Sequence, residues 1–216
     1  MNLFVFLQEN MAMTLFLTWE HIWLVGLSLV IAMLTGVPMG VIITKNKELA
    51  QKVIGGANVI MTIPSIALFG LMLPILAVVG HGLGKVPAVI ALVLYSLLPI
   101  IRNTYIAIKN VDPAIVDAGR GMGMTKWQLL REVEIPLAIP VILAGLKTAA
   151  VMNIGIAAIA AYIGAGGLGV FIQQGIARSH ESMILAGALA VSLLAIIVDL
   201  GMGFLERAVT PKGLKL

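Results

Sequence analysis

Three groups of residues in this chain have types and spacings that could do chemistry. Gly164-Ala165-Gly166-Gly167-Leu168-Gly169 matches G-x-G-x-x-G, a pattern that cradles a dinucleotide pyrophosphate when it sits between a strand and a helix in a βαβ unit. Lys147, Asn153 and Asp199 are polar or ionisable residues inside long apolar runs, where such groups are costly and point to function by default. Asp117 to Pro136 reads D-A-G-R-G-M-G-M-T-K-W-Q-L-L-R-E-V-E-I-P and lies in the longest polar stretch of the chain. A structured, mixed-charge segment between apolar runs is presented to something in water. No Walker A lysine motif, zinc pattern or catalytic triad is visible. Cys is absent, which removes thiolate metal sites, disulfides and cysteine nucleophiles.

The elements that must hold these residues follow from composition. Of the 216 residues, 60% are hydrophobic and 11% charged, against about 25% charged in a soluble domain. The deficit is too large for a water-facing surface, so the class is an integral membrane protein. The net charge of +4 is no sign of nucleic-acid binding, because in a membrane protein the placement of Lys and Arg outweighs their sum. Met1 to Asn10 lacks Lys and Arg, so the positive region of a cleavable signal is missing. Met1 to Thr18 reads as an interfacial or short amphipathic segment ahead of the first span, or as a frayed terminus.

A spanning helix needs about 20 mostly apolar residues. Candidates are Trp19–Thr44, Val53–Val79 (interrupted by Pro64 and Pro74), Val86–Ile108, Leu137–Ala161 and Met183–Leu205. The apolar runs are continuous rather than alternating, which favours helices over a membrane barrel. The expected fold is all-α, a single polytopic membrane domain over 1–216 with about five spans. With five spans, Lys45, Lys47, Lys52, Arg102, Lys109, Arg120, Lys126, Arg131, Arg207, Lys212 and Lys215 fall on one side, and they hold most of the 14 basic residues. The positive-inside rule then puts the N-terminus outside and the C-terminus in the cytosol.

The polar stretch, about 110–136, reads as two short helices. Asp112 caps the first and Pro113 opens it. Gly121 and Gly123 break it, and Thr125 with Gln128 restarts it through a capping-box pattern. Trp127, Leu129 and Leu130 are apolar anchors, and Pro136 ends the second helix before the fourth span. The result is an elbow along the cytosolic membrane surface. Asp117-Ala118-Gly119, three residues, Gly123, nine residues, Val133, one residue, Ile135 and Pro136 resembles the EAA loop (E-A-A-x3-G-x9-I-x-L-P) of type I ABC importer permeases. Asp117 stands where Glu is usual and Gly119 where Ala is usual. Thr18 to His21, Ile63 to Gly70, Leu98 to Tyr105 and Ile163 to Gly169 resemble the osmoprotectant subfamily, whose importers take glycine betaine, carnitine or choline.

The resemblance implies that Asp117, Ala118, Gly119, Gly123, Trp127 and Pro136 form an ATPase-coupling loop. It implies a second permease chain (identical or sister), two ATPase subunits that hold the ATP and Mg, and an extracytoplasmic substrate-binding protein. The setting is the bacterial plasma membrane, with no cofactor or covalent chemistry in this chain and no nucleic acid. Paired elbows driven together by the ATPases would switch the spans between inward- and outward-facing states. An importer permease for methionine or another amino acid is the alternative within the class; a channel or secondary transporter working alone is the alternative outside it, and would show internal repeats.

Pathway candidates are Pro64, Ser65, Asn153, Tyr162, Gly164, Gly166 and Gly167. A proline frees a carbonyl and bends a membrane helix, so Pro64-Ser65 marks either a pathway-facing bend or a packing kink. Asn153 could line a pathway or bond a neighbouring helix. No strand precedes Gly164–Gly169, which sets aside the nucleotide reading; these glycines form a tight backbone passage at a pathway mouth or binding-protein contact, or a plain re-entrant turn. Lys147 could snorkel, and Asp199 could pair with a basic neighbour. Gly36 and Gly40 offer a small-xxx-small packing face. Trp19, Trp23, Tyr95, Tyr105 and Tyr162 fall mostly near span ends, as an interfacial belt does.

Overall fold

A computed structural model describes residues 3–209, and among them there are helices and no strand. The helices are α1 (Leu3–Glu9), α2 (Met11–Ile43), α3 (Lys47–Thr62), α4 (Ser65–Ala77), α5 (Lys85–Lys109), α6 (Pro113–Gly121), α7 (Lys126–Leu129), α8 (Ile135–Ile159), α9 (Gly169–Ala177) and α10 (Glu181–Val209). A π turn, Leu130–Glu134, joins α7 to α8, and a 3-10 turn, Ala160–Ile163, extends α8. Four helical stretches are long and apolar enough to cross a bilayer: Met11–Ile43, Lys85–Lys109, Lys126–Ile163 and Glu181–Val209. The chain is a multi-pass membrane protein.

The direction of each helix can be read from its contacts. Glu20 meets Lys85, Gly36 abuts Ile100 and Gly40 abuts Thr104, so α2 and α5 run parallel. Gly145 abuts Asn103 and Asn153 bonds Ser96, so α8 runs against them. Gly187 packs on Ile172 of α9, and Asp199 reaches Lys147, so α10 returns antiparallel to α8. Two parallel neighbours in one membrane need a return crossing between them. That crossing is α3 and α4, bent by 100° at their junction. Ala50 shares a core with Ile101 near one end of α5, and Leu68 and Phe69 share one with Ala88 and Leu92 near the other. The second expected span is therefore a broken crossing rather than one helix.

Small residues allow the close approach that helices need in lipid, where packing replaces the hydrophobic drive. Ala32, Gly36 and Gly40 are buried at successive turns of α2. A Cβ at Gly40 would lie 2.6 Å from the Thr104 Cβ, and one at Gly145 would lie 2.8 Å from the Pro99 carbonyl oxygen. The small-xxx-small expectation for α2 is thus met, and Pro38 sits inside a helix that continues past it.

Two boundaries differ from the sequence reading. The first crossing helix starts at Met11, not near Trp19. The Thr14 and Thr18 hydroxyls donate to the carbonyls of Asn10 and Thr14, at 2.9 and 2.7 Å, so these polar residues stay inside the helix. The break falls at Asn10, whose amide donates to the Phe6 carbonyl at 2.9 Å. Ahead of it α1 is docked: Phe6 is buried edge-on against Phe171, centroids 5.5 Å apart. The second difference is Pro136, which does not end a helix. Lys126–Ile163 is one stretch of 38 residues. Proline lacks an N–H and its ring crowds the carbonyl four residues back; the wider π turn just before it makes room for both.

Candidate functional site

The elbow is built from local signals. Asp112 Oδ1 accepts from the Ala114 N–H at 2.9 Å and Pro113 opens α6. The exit from α6 is a Schellman motif: Met124 N–H donates to Gly119 C=O at 3.1 Å and Gly123 N–H to Arg120 C=O at 2.9 Å. Gly123 has φ +81, the left-handed conformation this motif demands. Thr125 and Gln128 then cap α7 reciprocally, with Thr125 N–H to Gln128 Oε1 at 2.9 Å and Gln128 N–H to Thr125 Oγ1 at 3.3 Å. Gly119 is buried where α6 crosses α7, and a Cβ there would lie 2.7 Å from Leu129 Cδ1. Asp117 and Arg120 form an exposed ion pair at 3.1 Å. Ala118 is exposed, as are Met122 at 77% and Trp127 at 65%. So Asp117, Ala118 and Trp127 are all accessible, Gly119 is buried beneath them, and the exposed Gly123 sets the turn between the two helices. Pro136 lies outside it, in the first turn of α8.

At the α3–α4 junction, Ile63 and Pro64 are extended and Ser65 starts α4. The Ile63 carbonyl, released by the break, accepts from the Tyr95 hydroxyl. A cavity of about 280 Å³ opens there, lined by Met61, Thr62, Pro64, Ser65, Tyr95 and Met152 among others. Beside it α8 shows a bare face: Val141, Thr148 and Gly155 are exposed, as is Tyr162 just beyond, each seven residues after the last. Asn153 lies on the opposite side, fully buried, and donates to Ser96 Oγ at 2.8 Å. It bonds a neighbouring helix rather than this face, and its Oδ1 has no hydrogen-bond partner among the described residues.

The glycine-rich turn is held by two α2 side chains that the sequence reading did not single out as site residues. Gly164, Gly166 and Gly167 have φ of +79, +85 and +77. The Gly167 N–H donates to Glu20 Oε2 at 3.2 Å, and Glu20 Oε1 accepts from Lys85 Nζ at 2.7 Å. Leu168 N–H donates to His21 Nδ1 at 3.2 Å, and His21 Nε2 lies 3.0 Å from the Ile154 carbonyl. A carbonyl only accepts and an amide N–H only donates, so the ring is neutral with its proton on Nε2. Two successive backbone N–H groups of the turn thus meet two successive α2 side chains, Gly167 the Glu20 carboxylate and Leu168 the His21 ring. Gly169 packs so closely that a Cβ would lie 1.9 Å from the Ala158 carbonyl oxygen. The signal that could have found this clamp is an adjacent Glu and His inside an apolar run.

Lys147 and Asp199 pair at 3.0 Å across α8 and α10, with side chains 30% and 46% exposed. This is the pairing expected of two charges inside apolar spans. Among the described residues no group of His, Asp and Glu is arranged to hold a metal.

Comparison with known proteins agrees with this architecture. The family described as "Binding-protein-dependent transport system inner membrane component" matches residues 32–211. The osmoprotectant import permease protein OsmW of Salmonella typhimurium is 52% identical over 210 residues, covering 97% of this chain and 98% of that protein. The glycine betaine/carnitine/choline transport system permease protein OpuCB of Bacillus subtilis is 44% identical over 214 residues, covering 99% and 96%. A chain of the MetNI methionine ABC transporter, solved in an inward-facing conformation, is similar with a TM-score of 0.81 at 25% identity, covering 89% of this chain and 94% of that one.

Proposed function

The chain belongs to the family of binding-protein-dependent transport system inner membrane components, and from that membership we propose that it is one of two permease chains enclosing a pathway for compatible solutes such as glycine betaine, carnitine or choline. Two ATPase subunits, which hold the ATP and Mg, drive the pair, and an extracytoplasmic binding protein delivers the solute. This chain moves solute without catalysing a reaction. Its basic end, with the elbow and the end of α10, faces the cytosol.

One observation carries the mechanical part of this reading: the helix that leaves the elbow at Lys126 runs without interruption to Ile163, beside the glycine-rich turn at the other end. In this mechanism an ATPase groove receives α6 and the exposed Asp117, Ala118, Met122 and Trp127. Nucleotide-driven closure of the ATPases moves the elbow, and the long helix moves as a body with it. The bare face of α8 and the cavity at Pro64-Ser65 form the wall that opens to one side or the other. Backbone that is not helical at membrane depth is tolerated beside a water-filled cavity, which suits the released carbonyl at this break. Tyr162 stands at the outer mouth. Gly164, Gly166 and Gly167 hold that mouth in shape, fixed by Glu20 and His21. Asn153 acts behind the wall, keeping α8 registered on α5.

The solute class rests on relatives at 52% and 44% identity named for osmoprotectant, glycine betaine, carnitine and choline transport, against a fold likeness at 25% for a methionine transporter. The test is reconstitution of the permease with its ATPase and binding protein in proteoliposomes. Glycine betaine uptake that needs ATP and the binding protein, and that excess methionine leaves untouched, is the expected result. Uptake by the permease alone would overturn the coupling mechanism, and uptake of methionine in place of glycine betaine would overturn the solute class.

A further inference from the structure

The Lys147–Asp199 pair has no part in the elbow or in the outer clamp. Lys147 is the midpoint of α8 (Ile135–Ile159), and Asp199 lies roughly 15 Å along α10 from its end at Val209 at 1.5 Å per residue. Both charges are therefore at the depth of the hydrocarbon, yet 30% and 46% of their side chains are open. Charged groups at that depth face a bundle interior or a water-filled cavity, since lipid cannot solvate them. Polar neighbours are exposed beside the pair, among the exposed Ile196 and Leu200 of α10. Thr148, next to Lys147, is exposed on the bare face of α8, and Ser192, seven residues before Asp199 and so on the same side of α10, is exposed as well. A Cβ at Gly203 would lie 3.7 Å from Lys147 Nζ, an ordinary contact, so the ammonium rests beside the α10 backbone one turn past Asp199.

We infer that Lys147 and Asp199 line the water-filled pathway and act as a transient pair of counter-charges for a zwitterionic solute, Lys147 toward its carboxylate and Asp199 toward its quaternary ammonium. This rests on the compatible-solute reading. A pathway must hold its solute weakly enough to release it. A pair that is neutral overall makes no deep well for either ion, and a zwitterion that exchanges partners with it keeps every charge complemented as it passes. A simple cation such as choline brings no carboxylate to release Lys147 from Asp199, so it gains nothing from the pair. The pair therefore discriminates by the solute's own charge pattern.

Two measurements on the reconstituted transporter, with its ATPase and binding protein, test this. In the first, Lys147→Gln, Asp199→Asn and the reversed pair (Lys147→Asp with Asp199→Lys) are compared for glycine betaine and choline uptake. The single variants should lose about tenfold or more in glycine betaine transport efficiency relative to choline while ATP hydrolysis persists, and the reversed pair should recover much of it. Equal loss for both solutes, or no loss, would overturn the counter-charge role. In the second, Ser192→Cys is introduced into this chain, which has no other Cys, and exposed to a membrane-impermeant, water-soluble thiol reagent. Labelling is expected; a silent thiol in an assembled, active transporter would overturn the placement on a water-filled pathway. If the unaltered transporter carries neither solute, the compatible-solute reading fails, and the labelling still decides where the pair faces.

Discussion

The imidazole of His21 joins α2 to the far end of α8 by a bond from Nε2 to the Ile154 carbonyl at 3.0 Å, while its Nδ1 takes the Leu168 N–H. Both bonds are buried, and 133 and 147 residues separate the partners. Replacing His21 with Phe keeps a ring of similar bulk but strands the Leu168 amide without water and takes the second hydrogen bond from the Ile154 carbonyl, which the α8 backbone still uses. The loss should be about 1–3 kcal/mol, the cost of one stranded buried group. Thermal unfolding of the purified permease–ATPase complex in detergent checks this, and an unchanged Tm would contradict the clamp.

Gly123 tests the elbow without touching the membrane helices. Its φ of +81 costs a β-branched residue about 1–2 kcal/mol or more, although a Cβ there would meet nothing within 4 Å. Gly123→Val should leave insertion and abundance near normal while uptake falls and ATP hydrolysis no longer responds to the loaded binding protein. Gly123→Asn should retain much of the response, because Asn tolerates the left-handed region. The comparison needs only uptake and ATPase assays on equal amounts of complex.

Tyr95 and the broken crossing give a third expectation. Tyr95→Phe removes the donor to the Ile63 carbonyl and keeps the ring. An unsatisfied carbonyl costs about 1–3 kcal/mol where water cannot reach it, and less beside a wetted cavity. If the break lines the pathway, stability should fall by about 1 kcal/mol or less while the KM for solute uptake shifts. A large stability loss with unchanged KM would make the break a packing kink.

Two glycines separate close packing from open space. Gly169→Ala drives a Cβ to 1.9 Å from the Ala158 carbonyl oxygen, and the backbone cannot yield as a flexible side chain can. The variant should fail to accumulate in the membrane. Gly26→Ala on α2 meets nothing within 4 Å and should be neutral or stabilising by about 0.5–1 kcal/mol. Membrane abundance of the two variants, measured side by side, is sufficient.

The elbow was readable because its determinants are local. Asp112-Pro113, Gly123 and the Thr125–Gln128 box each act within a few residues, and each stands where the pattern put it. The crossing helices were readable from hydropathy, except where a boundary depends on geometry that a hydropathy scan does not see. Thr14 and Thr18 turn their hydroxyls back onto their own helix, so the first crossing begins earlier than its polar residues suggest. Pro136 looks like a terminus, and only the widened turn ahead of it keeps the helix whole. The clamp by Glu20 and His21 was out of reach, because the residues they hold are more than a hundred positions away. The side Asn153 takes was out of reach for the same reason: nothing local says that it turns to Ser96 while Thr148, five positions earlier, is exposed.

The unbroken run from Lys126 to Ile163 is about 57 Å long at 1.5 Å per residue. A shaft of that length has little compliance except where its winding is irregular, at the wide coil Leu130–Glu134 and the tight 3-10 turn Ala160–Ile163. In the proposed mechanism, the stroke delivered at the Ile163 end is the input travel less whatever the wide coil takes up. On that proposal, its stiffness would set the dead travel between a push on the elbow and the answer at the glycine-rich turn.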